Sequence, residues 1–182
     1  MKITYLPHST TTDNEQGIAT GWLPGELSAK GLEQAAQLFD QLAIKDFTAI
    51  VSSDSHRAVQ TAQIAFGERY QLRQDMRLRE ANYGDLNGAL HNFKDRMHEY
   101  IVQKFPNGES YEDVEVRVRS LLDELILEFG DGQIAFVSHQ APQLALDVIC
   151  IGKSWQDAIA SDWRFTKSWQ PGWVYNIMAD LF

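Results

Sequence analysis

The chain is poor in cysteine and in cationic side chains, and each shortage excludes a class of protein. Cys150 is the only cysteine, so no internal disulfide can form, and its apolar neighbours (LDVICIG) indicate a small core side chain rather than a reactive thiol. Lys and Arg number 16 against 25 Asp and Glu, a formal net charge of −9. This balance argues against a nucleic-acid partner and against an anionic membrane, but it permits a local basic pocket for a small anion.

Long apolar runs are also missing. None approaches the roughly 20 residues that cross a bilayer, and the opening MKITYLPHS has too short an apolar region for a secretory signal. We therefore expect a cytoplasmic protein. With 182 residues, 44% of them hydrophobic, the chain is long enough for one domain, which we expect to span residues 1–182.

Strand-like and helix-like segments alternate along the chain. Short apolar runs predict strands at 2–7, 48–52 and 133–138, and WVYNIMADL (173–181) predicts a late strand, with a helix as the alternative. Helices are predicted over 28–45 with Ser28 as N-cap, from about 54 to before Gly67, over 110–129 with Ser110 as N-cap, and at LALDVICI. The predicted apolar face of the first helix is Leu32, Ala35, Ala36, Phe39, Leu42 and Ala43.

This alternation predicts an α/β protein with a mainly parallel sheet covered by helices on both faces, a three-layer α/β/α sandwich. Residues 85–110 are predicted to form a helical insertion over the sheet edge. His8 and His139 each follow a predicted strand. Because open α/β sheets bind ligands beyond the carboxyl ends of their strands, the two histidines could meet in one crevice.

Singly, the polar candidates have ordinary explanations, such as a solvated strand-end histidine or a surface arginine on a helix. Jointly and in order, separated segments resemble the histidine phosphatase superfamily, also called phosphoglycerate mutase-like. The segments are HSTTTDN, TGWLPGELSAKGLEQA, SSDSHRAVQTA, LREANYGDLNG, PNGESYEDVEVRV and FVSHQ.

The resemblance implies a reaction through a phosphohistidine. His8 would attack a phosphomonoester in line, and Glu80 would protonate the leaving oxygen and later take a proton from water. Arg57 and His139 would complete the catalytic set by stabilising charge on the phosphoryl group. The predicted phosphate- and substrate-binding residues are Asn14, Thr20, Gly21, Ser9 and Gln140. No metal and no cofactor are implied.

Three positions beside the histidines depart from the family pattern. Pro7 and Ser9 stand where relatives have Arg and Gly, and Gln140 follows His139 where Gly is usual. Losing a hydrogen bond from the arginine to a charged group would cost roughly 1.5–3 kcal/mol, about ten- to a hundredfold in rate. Lys153, Arg164 and Lys167 could return a cation to the pocket, although we expect them to be solvated surface charges. The C-terminal region is rich in aromatic residues: Trp155, Trp163, Phe165, Trp169 and Trp173. We expect them to close a core or to line a pocket, and the alternative is that they form the interface of a homodimer.

The sequence therefore predicts a metal-independent phosphomonoester hydrolase acting on a small phosphorylated metabolite. Mutase action is less favoured because the chain is short and has little sequence for a long active-site cover. The alternative is a catalytically impaired relative that binds a phosphate-bearing ligand or a protein partner, which the substitutions around the histidine pair motivate.

Overall fold

The structure is a computed structural model that describes residues 1–90, 93–168 and 170–177. Its strands are β1 (Lys2–Pro7), β2 (Ala49–Ser52), β3 (Leu72–Gln74), β4 (Gln133–Ser138) and β5 (Trp173–Asn176). Its α-helices are α1 (Thr12–Gln16), α2 (Ala29–Gln41), α3 (His56–Phe66), α4 (Tyr111–Phe129), α5 (Gln140–Leu146), α6 (Trp155–Ala160) and α7 (Trp163–Thr166). Short 3-10 helices lie at Gly67–Arg69, Met76–Leu78, Gly84–Leu86 and Lys94–Tyr100, and α5 continues into a π-helical turn at Asp147–Ile151.

The strands form one five-stranded sheet in the order β3-β2-β4-β1-β5. The pairs β3–β2, β2–β4 and β4–β1 are parallel, and β5 pairs antiparallel with β1. The predicted strands at 2–7, 48–52 and 133–138 are confirmed. The late strand is confirmed for residues 173–176, and residues 178–181 of that prediction lie outside the described part of the chain.

Helices cover both faces of the sheet, which confirms the three-layer prediction. Along β4, Ile134 and Phe136 join the larger core cluster with α4, α5 and α6, whereas Ala135 and Val137 join the smaller cluster with α2 and α3. Because side chains alternate between the two faces of a strand, a continuous apolar run is buried only when both faces are covered. The apolar character of QIAFVS follows from this arrangement.

The first predicted helix forms, and Ala35 and Leu42 of its predicted face are buried, but three other residues of that face and the end of the helix were predicted wrongly. Ser28 caps α2 as expected, accepting from the backbone N–H of Gly31 at 3.2 Å, and the helix ends at Gln41 rather than Lys45. Leu32 is 42% exposed, and Ala36 and Ala43 are also exposed. The residues that point inward are Gly31, Ala35 and Leu38, followed by Leu42. The helix is rotated in this way because Gly31 packs directly on the chain after β1, where an added Cβ would lie 1.9 Å from the carbonyl oxygen of Thr10.

The other two long helices agree closely with the prediction. α4 begins with a capping box in which the Ser110 hydroxyl accepts from the N–H of Asp113 and the Asp113 carboxylate accepts from the N–H of Ser110. α3 begins at His56, after an N-cap at Ser55, which agrees with the predicted start near Asp54. Asp54 forms an ion pair with Arg79 at 2.6 Å, which connects the start of α3 to the loop after β3.

The predicted helical insertion at residues 85–110 contains 3-10 helices among its described residues. Phe93, Tyr100 and Phe105 are buried in the larger core cluster, with the rings of Tyr100 and Phe105 stacked at 3.8 Å. The segment therefore adds aromatic packing beside α4 and α6. Within the described ranges no helix has the length and apolar character needed to cross a membrane. The assignment of residues 1–182 to one domain stays a prediction.

Candidate active site

The two strand-end histidines are neighbours. β1 and β4 pair in parallel so that Pro7 lies opposite Ser138, and the backbone N–H of His8 donates to the carbonyl oxygen of Ser138 at 2.9 Å. The imidazole rings of His8 and His139, at the ends of these two strands, have their centroids 4.9 Å apart and their planes inclined by 57°. The register of the two central strands therefore fixes the histidine pair.

The imidazole of His8 has a defined orientation. Its Nδ1 lies 2.8 Å from the carbonyl oxygen of Ser9, which can only accept, so Nδ1 carries the proton and Nε2 keeps a lone pair. Loss of water around the ring, helped by the positive charge of Arg57, lowers the pKa of His8 from 6.5 to about 3. A neutral imidazole with a free Nε2 is the form that attacks as a nucleophile.

His139 is 1% exposed and has both ring nitrogens unpaired among the described residues. Burial, followed by the charge of Arg57, lowers its pKa well below the usual value, so this ring is also neutral. Its main chain is held by the Tyr5 hydroxyl, which donates to the His139 carbonyl oxygen. A buried polar ring without a partner is costly unless a ligand completes it, and a neutral imidazole retains one N–H to donate to an anion.

Arg57 supplies a buried guanidinium from the first turn of α3. It is 2% exposed, and it donates from Nη2 to the Gly21 carbonyl oxygen at 2.8 Å and from Nη1 to the Leu23 carbonyl oxygen at 3.2 Å. Burial lowers its pKa, while the carboxylate of Glu80 acts in the opposite direction. Since an arginine stays protonated even when buried, the result is a fixed positive charge beside the histidines.

Glu80 is 8% exposed, and its carboxyl group contacts the first residues of α5. Oε1 accepts from the N–H groups of Ala81 and Ala141, both at 2.9 Å, and Oε2 accepts from the N–H of Gln140 at 3.1 Å. The Glu80 carbonyl oxygen accepts from the Trp22 indole at 2.7 Å and from the Arg117 guanidinium at 3.0 Å. The start of α5 therefore holds the carboxyl group, and Trp22 and Arg117 hold the backbone of the same residue.

These side chains line a single cavity of about 570 Å³. The structure brings together every site residue that the sequence predicted: the cavity is lined by His8, Arg57, Glu80, His139, Ser9, Asn14, Thr20, Gly21 and Gln140, among others. Their individual roles stay predictions. The volume falls within the range of small-molecule sites, roughly 300–1,000 Å³.

The loop after α1 forms one wall of the cavity and is tightly held. Thr20 donates from its hydroxyl to Asp13 at 2.7 Å, and the Asn14 side chain accepts from the N–H of Thr11, the N-cap of α1, at 3.1 Å. Gly21 has φ +54°, and an added Cβ would lie 1.8 Å from the Asn87 side-chain oxygen. A glycine is therefore required where this loop approaches the cavity.

The atypical residues have specific environments. The Ser9 N–H donates to the Thr61 hydroxyl at 3.0 Å, and its carbonyl oxygen orients His8. The side-chain amide of Gln140 donates to the buried carboxylate of Asp162. The backbone N–H of Gln140 therefore binds the Glu80 carboxyl group, and its side chain connects α5 to the start of α7.

Arg164 corrects an expectation from the sequence. It was predicted to be a solvated surface charge, but it lines the cavity with its side chain 20% exposed and with Nη1 3.0 Å from Asp162. The other two candidates lie elsewhere: Lys153 pairs with Asp147 at 2.8 Å, and Lys167 is exposed. The sequence could not distinguish Arg164 from Lys153 and Lys167, because nothing in the residues around it indicates whether its side chain faces the cavity or the solvent.

The C-terminal aromatics take several roles. Trp155 is buried and stacks on Tyr111 at 5.5 Å, whereas Trp163 lines the cavity and stacks on Trp173 at 5.2 Å. Phe165 is 39% exposed, and Trp169 lies outside the described residues. Core closure and pocket wall are thus both observed. Within the described ranges, no group of three or more His, Cys, Asp or Glu side chains is arranged to hold a metal ion.

Comparison with known proteins gives a consistent picture. Residues 5–160 match the model of the histidine phosphatase superfamily, branch 1. Glucosyl-3-phosphoglycerate phosphatase of Mycobacterium tuberculosis is 36% identical over 156 residues, covering 76% of this chain and 70% of that protein. Phosphoserine phosphatase 1 of Hydrogenobacter thermophilus is 26% identical over 162 residues, covering 84% and 77%. Phosphoglycerate mutase 1 of Saccharomyces cerevisiae is 36% identical over 93 residues, and the match spans only 38% of its length.

Solved structures agree with this result. The mycobacterial glucosyl-3-phosphoglycerate phosphatase superposes with a TM-score of 0.79 at 27% identity, covering 88% of this chain and 84% of that one. The alpha-ribazole phosphatase of Shigella flexneri superposes with a TM-score of 0.73 at 25% identity, covering 87% and 83%. Relatives with named activities therefore include phosphatases acting on several different phosphorylated molecules.

Proposed function

Since this chain belongs to the histidine phosphatase superfamily, we propose that it is a metal-independent phosphomonoester hydrolase that acts through a phosphohistidine on His8. The observation that carries the proposal is the orientation of His8, whose Nδ1 is bound to the Ser9 carbonyl so that Nε2 is left with its lone pair. Arg57, Glu80 and His139 line the same cavity and supply the charges and protons that phosphoryl transfer needs.

In the first step Nε2 of His8 attacks the phosphorus, and the bond between phosphorus and the ester oxygen breaks. A bond from nitrogen to phosphorus forms, and the leaving oxygen takes a proton from the carboxyl of Glu80. Arg57 and the N–H of His139 donate to the phosphoryl oxygens, which gain charge as the ester bond lengthens. The backbone carbonyls that hold Arg57 keep this guanidinium in place before the substrate arrives.

In the second step water replaces the histidine on phosphorus. Glu80, now a carboxylate, takes a proton from the water, and the new bond from oxygen to phosphorus releases inorganic phosphate and restores His8. The backbone N–H groups of Ala81, Gln140 and Ala141 hold the Glu80 carboxyl group in position during this step. The same group therefore acts as acid and then as base.

The outer wall of the cavity favours a neutral, hydrogen-bonding leaving group. This wall is formed by the exposed amides of Gln34, Gln37 and Gln41 on α2, beside Leu38. Arg57 and Arg164 are the cationic side chains among the described lining residues. We expect hydroxyl-rich phosphomonoesters such as sugar monophosphates to have a higher kcat/KM than phosphoserine or phosphoglycerate, whose carboxylates would meet amides here rather than a cation.

Turnover of a chromogenic phosphomonoester between pH 5 and 8 tests the proposal. We expect His8→Ala to abolish turnover and to abolish acid-labile phosphate trapped on the protein by rapid quenching. His56→Ala is the matched control, because His56 is exposed and paired with Glu26 outside the cavity lining. Turnover at background level on a broad substrate panel, unchanged by His8→Ala, would refute the hydrolase.

One observation favours a second candidate, a relative that binds a phosphate-bearing ligand without efficient turnover. Pro7 lines the cavity where the family pattern has an arginine, and proline has neither a charge nor a backbone N–H to offer. In that case the protein would bind inorganic phosphate and leave phosphomonoesters intact. A cytoplasmic location, the lack of a nucleic-acid partner and the alternative of a homodimer stay predictions.

A further inference from the structure

The cavity that holds Arg57 has a second guanidinium, that of Arg164. Arg164 lines the same cavity as His8, Arg57, Glu80 and His139. Pro7 lines it too and contributes no cation. An anion entering this cavity therefore meets positive charge from α3 and from α7.

Contacts with Asp162 and Trp163 fix the position of the Arg164 side chain. Asp162 has a fully buried side chain, and its Oδ1 accepts from both the backbone N–H and Nη1 of Arg164, each at 3.0 Å. The guanidinium carbon lies 4.5 Å from the centre of the Trp163 ring, and Trp163 is in turn fixed by its indole N–H to Gln143 at 3.0 Å. A guanidinium held by a carboxylate and a ring face keeps its remaining N–H groups in one direction.

Arg164 keeps donors for a ligand. Among the hydrogen bonds of the described residues, Nη1 is the atom of this guanidinium that is used, which leaves Nε and Nη2. The carboxylate of Asp162 is shared with Gln140, whose amide donates to Oδ2. A glycine at position 140 would have no amide to give, so the atypical Gln140 and the cavity-lining Arg164 depend on one buried carboxylate.

We propose that Arg164 binds the phosphoryl group of the substrate in place of an arginine at position 7, and that Gln140 and Asp162 are positioning residues for it. This inference rests on the proposed function and specifies how its anion site is completed. The departures at positions 7 and 140 then form one physical unit with Arg164, rather than separate losses.

Binding of inorganic phosphate, followed by calorimetry and as competitive inhibition, tests the inference separately from turnover. We expect Arg164→Gln to weaken phosphate binding about 10- to 100-fold and to lower kcat as well as raise KM, with Arg164→Lys intermediate because it keeps the charge without the fork. Gln140→Ala is expected to weaken phosphate binding several-fold. Gln140→Glu is expected to weaken phosphate binding further, because it places a second carboxylate against that of Asp162. Lys167→Gln is the matched control, because it removes one exposed positive charge three residues from Arg164. It is expected to leave phosphate binding, kcat and KM unchanged.

The outcomes separate the two proposals. Wild-type turnover with phosphate affinity and KM unchanged in a folded Arg164→Gln variant would overturn the role of Arg164 and leave the hydrolase standing. A loss confined to substrates that carry a carboxylate, with phosphate affinity intact, would also overturn it, because Arg164 would then bind the leaving group. Phosphate binding that depends on Arg164 in a protein without turnover would support the inference and refute the hydrolase. Circular dichroism and the melting temperature verify that each variant is folded.

Discussion

The acid side of the pH profile is predicted directly by the environment of His8. In the free protein its pKa is lowered from 6.5 to about 3, mainly by loss of water around the ring and secondly by Arg57. Protonation would occupy the lone pair of Nε2 and stop the attack, so activity is lost as the pH falls through the pKa of the folded protein. A lowered pKa therefore extends activity to lower pH.

The magnitude follows from the two pKa values. At pH 5.0 an imidazole with a pKa of 6.5 would be about 3% neutral, whereas one with a pKa of about 3 would be about 99% neutral. Between pH 7.5 and pH 5.0, kcat/KM would fall about thirtyfold in the first case and would be nearly unchanged by His8 in the second.

The assay is kcat/KM from pH 4.5 to 8 on an aryl phosphomonoester, because kcat/KM reports the free protein. The ionisation of the substrate is measured separately by ³¹P NMR and divided out. In parallel, ¹⁵N NMR of the histidine rings should show His8 with one protonated and one unprotonated nitrogen down to pH 5. An acid limb with an apparent pKa near 6.5, coinciding with the titration of His8, would refute the reasoning, and His56→Gln controls for the exposed histidine.

Three further substitutions test the surroundings of the site. Pro7→Arg returns a guanidinium beside His8 and is expected to raise kcat/KM by up to about tenfold, whereas a drop would mean that Pro7 is matched to a different pocket. Gly31→Ala should destabilise the fold by about 1–3 kcal/mol in urea unfolding, despite the better helix propensity of Ala, because its Cβ would lie 1.9 Å from the Thr10 carbonyl oxygen; a gain in stability would contradict the close approach. Ser110→Ala should lower the free energy of unfolding by about 1 kcal/mol through loss of the capping box, and an unchanged free energy of unfolding would argue against the cap.

Much of the sheet was predictable because its central strands are buried on both faces. Continuous apolar runs such as QIAFVS mark such strands without help from the rest of the chain. β3 was missed because it is only three residues long, with the sequence LRQ, and none of its residues is fully buried at the edge of the sheet. The face of α2 was misplaced because a glycine packed against a backbone contributes nothing to an apolar pattern.

The histidine pair was predictable for a topological reason. Both residues follow strands, and the carboxyl ends of parallel strands lie at one edge of a sheet. Arg57, Glu80 and the loop around Gly21 came from the family resemblance, since nothing in their local spacing requires them to meet.

The sequence named Arg164 as one of three possible cations for the pocket but could not single it out, because its position depends on contacts between distant parts of the chain. Arg164 follows Asp162 on a four-residue helix, and only the fold shows that this carboxylate reaches Gln140, 22 residues earlier. A charged side chain in a weakly matched region is a surface residue on average. Its burial beside a tryptophan and a carboxylate is visible only in three dimensions.

The central claim is that Nε2 of His8 bonds to phosphorus in a cavity where Arg57, His139 and Glu80 converge. A crystal structure with orthovanadate, which mimics phosphorus during in-line transfer, tests it most directly. The account predicts vanadium bonded to Nε2 of His8, with its oxygens in contact with Arg57 and His139 and with Glu80 beside the oxygen opposite Nε2. Vanadate bound away from Nε2, or the four side chains turned away from it, would contradict the account.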